Sequence, residues 1–142
     1  MIPTMHPVLH LPQPGAVPHL LPNELLVLSE GGGQLGYEGR LTVQKDGTVT
    51  FSTHQRQQAD ATKRWRLSAG ELNALRFLIA RTDFQALHRQ QRVQYGPSAV
   101  DGIDRGIAVR QGKAVRGWSN TIWAMPDRPI PLFTRLQDLM DH

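Results

Sequence analysis

The chain has 142 residues, a length typical of one domain, and 39% of them are hydrophobic, enough to form a core of that size. It contains no cysteine, which excludes disulfide bonds, thiolate metal sites and cysteine nucleophiles. The net charge of +4 results from sixteen basic and twelve acidic residues, and the basic residues are thirteen arginines and only three lysines. This excess of arginine fits either an acidic or polyanionic partner or simply a GC-rich genome, in which arginine codons are common.

Residues 1–22 are predicted to form a flexible tail rich in proline and histidine. Six prolines interrupt this segment, and proline removes backbone hydrogen-bond donors, so no helix or sheet is expected. Its histidines, His6, His10 and His19, are scattered, and we expect them to be solvated and to hold no metal. The segment lacks the basic start and unbroken apolar run of a secretory signal. With no apolar run of roughly 20 residues elsewhere, the sequence predicts a cytoplasmic protein with no membrane contact.

A single domain is predicted over residues 23–142, and it begins with a hairpin that follows a buried strand. Glu24–Glu30 is a short apolar run typical of such a strand. Two further strands, Arg40–Lys45 and Thr48–Thr53, alternate apolar and polar residues and flank Asp46-Gly47. Asp-Gly between alternating runs is the strongest short signal for a hairpin, because a type I′ turn needs positive φ at both central positions.

The middle of the chain predicts a short strand and then helices. Lys63–Leu67 fits a fourth strand. Ser68 and Glu71 have the spacing of a capping box, in which each side chain satisfies a backbone donor of the first helical turn. Leucines and an isoleucine follow at helical spacing, and Phe84 and Leu87 predict a short second helix.

The last part of the chain predicts an irregular stretch, a second hairpin and a final helix. Arg89–Asp104 has no period. Arg105–Arg110 and Ala114–Ser119 are predicted strands, joined by a turn at Gln111-Gly112. The last helix runs to about Met140, with proline suited to its first turn.

The predicted fold class is α+β, with the order βββ(β)α(α)ββα. Its stable arrangement is a two-layer sandwich, in which two main helices cover one face of an antiparallel sheet of about five strands. The apolar strand residues are expected to face the helices; they are Leu41, Val43, Val49, Phe51, Ile107, Val109 and Val115.

The opposite face of the predicted sheet carries arginines and one aromatic ring. Alternation directs Arg40, Arg110, Arg116 and Trp118 away from the helices. This set resembles surfaces that bind single-stranded nucleic acid. It equally resembles a protein-binding surface or an ordinary solvated face, so these interpretations stay open.

No catalytic constellation is found in the sequence. His54 and His88 have no metal-ligand spacing. Ser98 lacks the glycine two residues later that a nucleophile elbow requires. Asp101 and Asp104 fit a turn and an ion pair better than an acid–base pair. We therefore predict a protein that is not an enzyme and that holds no cofactor or metal.

Two segments are the candidate partner-binding loops. Gly31, Gly32 and Gly33 precede a strand and match no phosphate-binding motif, so they predict a turn whose exposed backbone a partner could approach. Trp123 and Met125 lie in a predicted loop and are residue types that often anchor interfaces. The alternative for Trp123 is packing against the last helix.

Five ordered segments within Glu24–Met140 form a recognisable set: LLVLSEGGGQLG, QKDGTV, ELNALRFLIARTDFQAL, DRGIAVRQGKAVRGWS and PLFTRLQDLM. Together they resemble the emfourin family, small bacterial α/β proteins that inhibit thermolysin-type metallopeptidases such as protealysin. The resemblance implies a non-enzymatic protein whose loops bind a peptidase, and it transfers no reactive residue to this chain.

Overall fold

The fold is an open antiparallel sheet with helices packed on it. The computed structural model describes residues 17–32, 36–87, 103–121 and 130–142. Within them the sheet has the strand order β4-β3-β2-β1-β5-β6. The strands are β1 (Glu24–Gly32), β2 (Tyr37–Gln44), β3 (Thr48–His54), β4 (Ala61–Arg66), β5 (Ile103–Gln111) and β6 (Ala114–Thr121). The α+β class is thus confirmed, with six strands where about five were predicted.

Three helices occur in the described residues: α1 (Ala69–Arg81), α2 (residues 84–87) and α3 (Pro131–Met140). The predicted capping box starts α1, since the Ser68 amide donates to the Glu71 carboxylate at 2.9 Å and the Glu71 amide donates to the Ser68 hydroxyl at 3.1 Å. These hydrogen bonds lower the pKa of Glu71. Pro131 occupies the first turn of α3, where a missing donor costs nothing.

The helices cover one face of the sheet, called here the inner face. α3 spans this face from β6 to β4, because Phe133 stacks on Trp118 with ring centres 5.2 Å apart and His142 stacks on Trp65 at 4.4 Å. The fully buried inner-face residues of the central strands are Leu26, Leu28, Leu41, Val43, Val49, Ile107 and Val109. They form one core with the apolar sides of the helices.

The predicted orientation of β6 is wrong. Trp118 is 2% exposed and lies in the core, while Val115 is 53% exposed. The loop length explains the inversion: the predicted strands end at Arg110 and resume at Ala114, which leaves three residues between them, whereas Gln111 pairs with Ala114 and leaves only the two-residue loop Gly112-Lys113. A register shift of one residue moves every side chain of a strand to the other face.

The other face, called the outer face, is covered over part of its area. Leu20 is buried against Val27 of β1 and Ala108 of β5. The Arg110 guanidinium holds this segment, donating to the Leu21 carbonyl at 3.1 Å and the Glu24 carbonyl at 3.3 Å. The described part of the predicted tail therefore packs on the sheet, and the division of the chain at residue 23 stays a prediction.

Candidate partner-binding end of the sheet

The strand directions bring several connections to one end of the sheet, called the upper end. β1 finishes there at Gly32, which pairs with Tyr37 and with Ile103. β3 finishes at the same end, and β6 leaves it at Thr121 opposite Asp104. The β1–β2 and β3–β4 connections, the entry into β5 and the exit from β6 therefore all lie here. The lower end carries the two short hairpin turns.

Both predicted partner-binding loops are attached to the upper end. Gly31 and Gly32 belong to β1, so the strand continues two residues beyond its predicted end. Gly32 has φ of 131°, in the region that favours glycine. Gly33, Trp123 and Met125 lie outside the described residues, in segments that adjoin Gly32 and Thr121.

An ion pair lies on the inner face beneath this end. The Arg105 guanidinium donates to the Glu30 carboxylate at 3.0 Å, and the two side chains are only 12% and 11% exposed. The pair joins β1 to β5 across the sheet. Charges with so little solvent are stable only when they are paired and hydrogen-bonded, so this contact fixes the two strand ends relative to each other.

Tyr37 lies beside this ion pair at the start of β2. Burial raises the pKa of its hydroxyl, the Glu30 carboxylate adds to the rise, and Arg105 opposes it. The ring passes close to the backbone of Gly39, where an added Cβ would lie 2.5 Å from the Tyr37 hydroxyl. Glycine at position 39 thus leaves room for the ring. No local pattern in the sequence points to Glu30, Arg105, Tyr37 or Gly39 as functional residues.

A polar cavity of about 400 Å³ opens on the outer face at the same end. One cross-strand row supplies its floor, because Ser29 pairs with Arg40, Arg40 with Ser52, and Ser52 with Thr62. The remaining lining residues are Glu30, Glu38, Gly39, Thr53, His54 and Asp60. Hydroxyls and charged groups of both signs therefore meet in one concave surface.

His54 is fixed within this cavity by Asp60. Its Nδ1 atom lies 2.5 Å from the Asp60 carboxylate, and both side chains are largely exposed. This hydrogen bond raises the pKa of His54, and the charges of Asp60 and Glu38 add to the effect. Within the described residues the imidazole makes no hydrogen bond to Ser52 or Thr62, so the arrangement lacks a hydroxyl activated by a base.

The predicted polyanion-binding set does not assemble. Of these four residues, only Arg40 is exposed on the outer face without a hydrogen bond to another described residue, since Arg110 is bound to backbone carbonyls. Arg116 pairs with Val109 and so belongs to the inner-face side of the edge strand β6. Trp118 is in the core. A surface made of these four residues is therefore a wrong prediction, and its cause is the inverted register of β6.

Two further properties of the described residues bear on function. No group of three or more histidine, aspartate or glutamate side chains is placed there to hold a metal ion. None of the helices in this part of the chain is long and apolar enough to cross a membrane.

Comparison with known proteins assigns no function to the chain. No family model matches the sequence. A search of curated proteins finds no match either.

Proposed function

We propose that the protein is a non-enzymatic binding module whose upper end contacts a protein partner. The observation that carries this proposal is the convergence of the sheet connections at Gly32, His54, Ile103 and Thr121 on one end. Binding residues are often found on loops that a stiff scaffold holds together, because preorganisation reduces the entropy lost on association.

The scaffold beneath this end favours such preorganisation. The central strands β1 and β5 are held by fully buried side chains, including Leu28 and Ile107. Two residues further along β1, toward the upper end, the ion pair between Glu30 and Arg105 links the same two strands. The segments that leave Gly32 and Ile103 are therefore anchored at fixed points.

The first partner to test is a thermolysin-type metallopeptidase, because the sequence resembles emfourin-like inhibitors of those enzymes. The chain is added to the peptidase in increasing molar ratio and the residual activity is measured. We expect stoichiometric inhibition that Trp123→Ala weakens, since a large aromatic side chain is a common interface anchor. Lys113→Ala, in the exposed lower turn, is the matched control and leaves inhibition unchanged.

The result can go against the proposal in two ways. If the peptidase keeps full activity at large molar excess of the protein and no complex forms, the metallopeptidase is not the partner. If Lys113→Ala weakens the complex as much as Trp123→Ala does, the upper end is not the contact surface.

Nucleic-acid binding through the outer face is the second candidate and has narrower support. Arg40 and Arg64 are exposed and make no hydrogen bond or ion pair within the described residues, and threonines lie between them on β2 and β3. Gel shifts at two salt concentrations test it, because phosphate contacts make binding salt-dependent. Retention of binding in an Arg40→Gln, Arg64→Gln double variant would exclude this surface.

A further inference from the structure

The cavity on the outer face contains two opposite charges that form no ion pair with any of the described residues. Glu38 and Arg40 are both on β2, two residues apart, so their side chains project from the same face. Both are exposed, and within the described residues neither has a hydrogen bond or an ion pair. Arg66, Arg105 and Arg135, in contrast, all have carboxylate partners.

The surroundings of Arg40 fit a carboxylate. Ser29 and Ser52 lie on either side of Arg40 in the same cross-strand row and are half-buried. The Ser52 hydroxyl is 3.3 Å from that of Thr62, and either oxygen is able to donate. A guanidinium flanked by hydroxyl donors provides the fork and the extra hydrogen bonds that a carboxylate accepts.

The surroundings of Glu38 fit an ammonium group. The residue directly opposite Glu38 is His54, whose Nδ1 is already bound to Asp60. The third lining residue with a carboxylate, Glu30, is bound to Arg105 on the inner face. Glu38 is thus the one carboxylate among the lining residues that has no hydrogen bond within the described part of the chain.

The total charge of the cavity argues against a polyanion. Arg40 and, when protonated, His54 are positive, whereas Glu38 and Asp60 are negative, so the net charge of these four lining side chains is zero or negative. Such a cavity gives a phosphate dianion no net attraction, whereas a ligand with one charge of each sign can match Arg40 and Glu38.

We propose that this cavity binds a short zwitterion of dipeptide size, with its carboxylate at Arg40 and its ammonium group at Glu38. The Cα atoms of residues two apart on a strand are separated by about 7 Å. Two extended residues also span about 7 Å, so a dipeptide presents its charged ends at a matching distance. The site is on the outer face of the upper end, and the proposal does not depend on the identity of the protein partner proposed above.

The test is an NMR titration of the ¹⁵N-labelled protein with glycylglycine. We expect the amide signals of Ser29, Ser52 and Thr62 to shift in a saturable way. Arg40→Gln and Glu38→Gln each weaken binding about 10-fold, as the loss of a hydrogen bond to a charged group does. Arg64→Gln, in the next row of the same face and outside the cavity, leaves the affinity unchanged.

Blocked ligands complete the test. N-acetylglycylglycine lacks the ammonium group and glycylglycine amide lacks the carboxylate, so each binds about 10-fold more weakly than glycylglycine. The proposal is overturned if glycylglycine shifts none of the cavity signals, or if the blocked ligands bind as tightly. Equal binding of acetate would also overturn it, because the site would then recognise only an anion.

Discussion

The two ends of the sheet are built by different kinds of interaction. At the lower end, contacts between neighbours in sequence form the β2–β3 turn: the Thr48 amide donates to the Asp46 carboxylate at 2.9 Å, and the Gly47 amide to the Gln44 carbonyl at 2.9 Å. At the upper end, Glu30 and Arg105 are 75 residues apart in sequence. Local turn chemistry shapes the lower-end turn, and long-range bonds such as that from the Leu67 amide to the Gly47 carbonyl are added to it. At the upper end a contact between residues distant in sequence joins the strand ends.

The difference explains why we assign partner binding to the upper end. Short turns with their hydrogen bonds satisfied internally present few groups to a partner. The upper end has longer connections and a polar cavity, and a buried ion pair holds its strand ends in place. Three predictions test this contrast.

The largest effect is expected when the ion pair of the upper end is broken. Arg105→Ala leaves the Glu30 carboxylate buried without a partner, which costs about 3–5 kcal/mol of unfolding free energy. Chemical denaturation measures this cost. A Glu30→Gln, Arg105→Gln double variant removes both charges and is expected to lose less. Equal losses in the single and double variants would show that the pairing does not hold this end together.

A smaller effect is expected at the lower end. Gly47 has φ of 96°, and a Cβ there would lie 3.3 Å from the Leu67 carbonyl oxygen. Gly47→Ala is therefore expected to cost about 1–3 kcal/mol of unfolding free energy. Gly112→Ala is the matched control, since its φ is 59° and nothing lies within 4 Å of the added Cβ. If Gly112→Ala lowers the unfolding free energy more than Gly47→Ala does, crowding against the Leu67 carbonyl is not what distinguishes the two turns.

The smallest effect concerns His54 at the rim of the cavity. Asp60→Asn removes the main cause of the raised pKa, so the pKa of His54 falls toward its ordinary value. A raised histidine pKa favours the folded state below the unfolded pKa, and this gain is lost as the pH rises through the folded pKa. NMR titration of the imidazole signal measures the change, with Asp138→Asn on α3 as the control. An unchanged pKa in Asp60→Asn would show that the His54–Asp60 contact does not form in solution.

The sequence predicted the elements whose signals are local. The β2–β3 hairpin forms at Asp46-Gly47 as predicted, and α1 begins at the Ser68 and Glu71 capping pair. The type I′ turn is a wrong prediction, because the loop is the three residues 45–47 and φ is positive at Gly47 but not at Asp46. Each signal spans only a few residues, and the contacts it predicts are made between those same residues.

The prediction from sequence was wrong where a contact between residues distant in the chain determines which face of the sheet a side chain occupies. In β6 one alternating set contains Val115 and the other contains Trp118, so hydrophobicity alone does not select the inner face. The burial of Trp118 against Phe133 of α3 goes with the two-residue loop Gly112-Lys113, which is one residue shorter than the gap between the predicted strands. The Glu30–Arg105 pair depends in the same way on the register of β1 against β5, which no local pattern contains.

The most direct test of the upper-end account is hydrogen–deuterium exchange of the protein with and without a thermolysin-type metallopeptidase. The account predicts slower exchange in peptides covering residues 31–38 and 54–61, and no change in peptides covering residues 111–115. Slower exchange confined to residues 111–115, with the upper-end peptides unchanged, would contradict it.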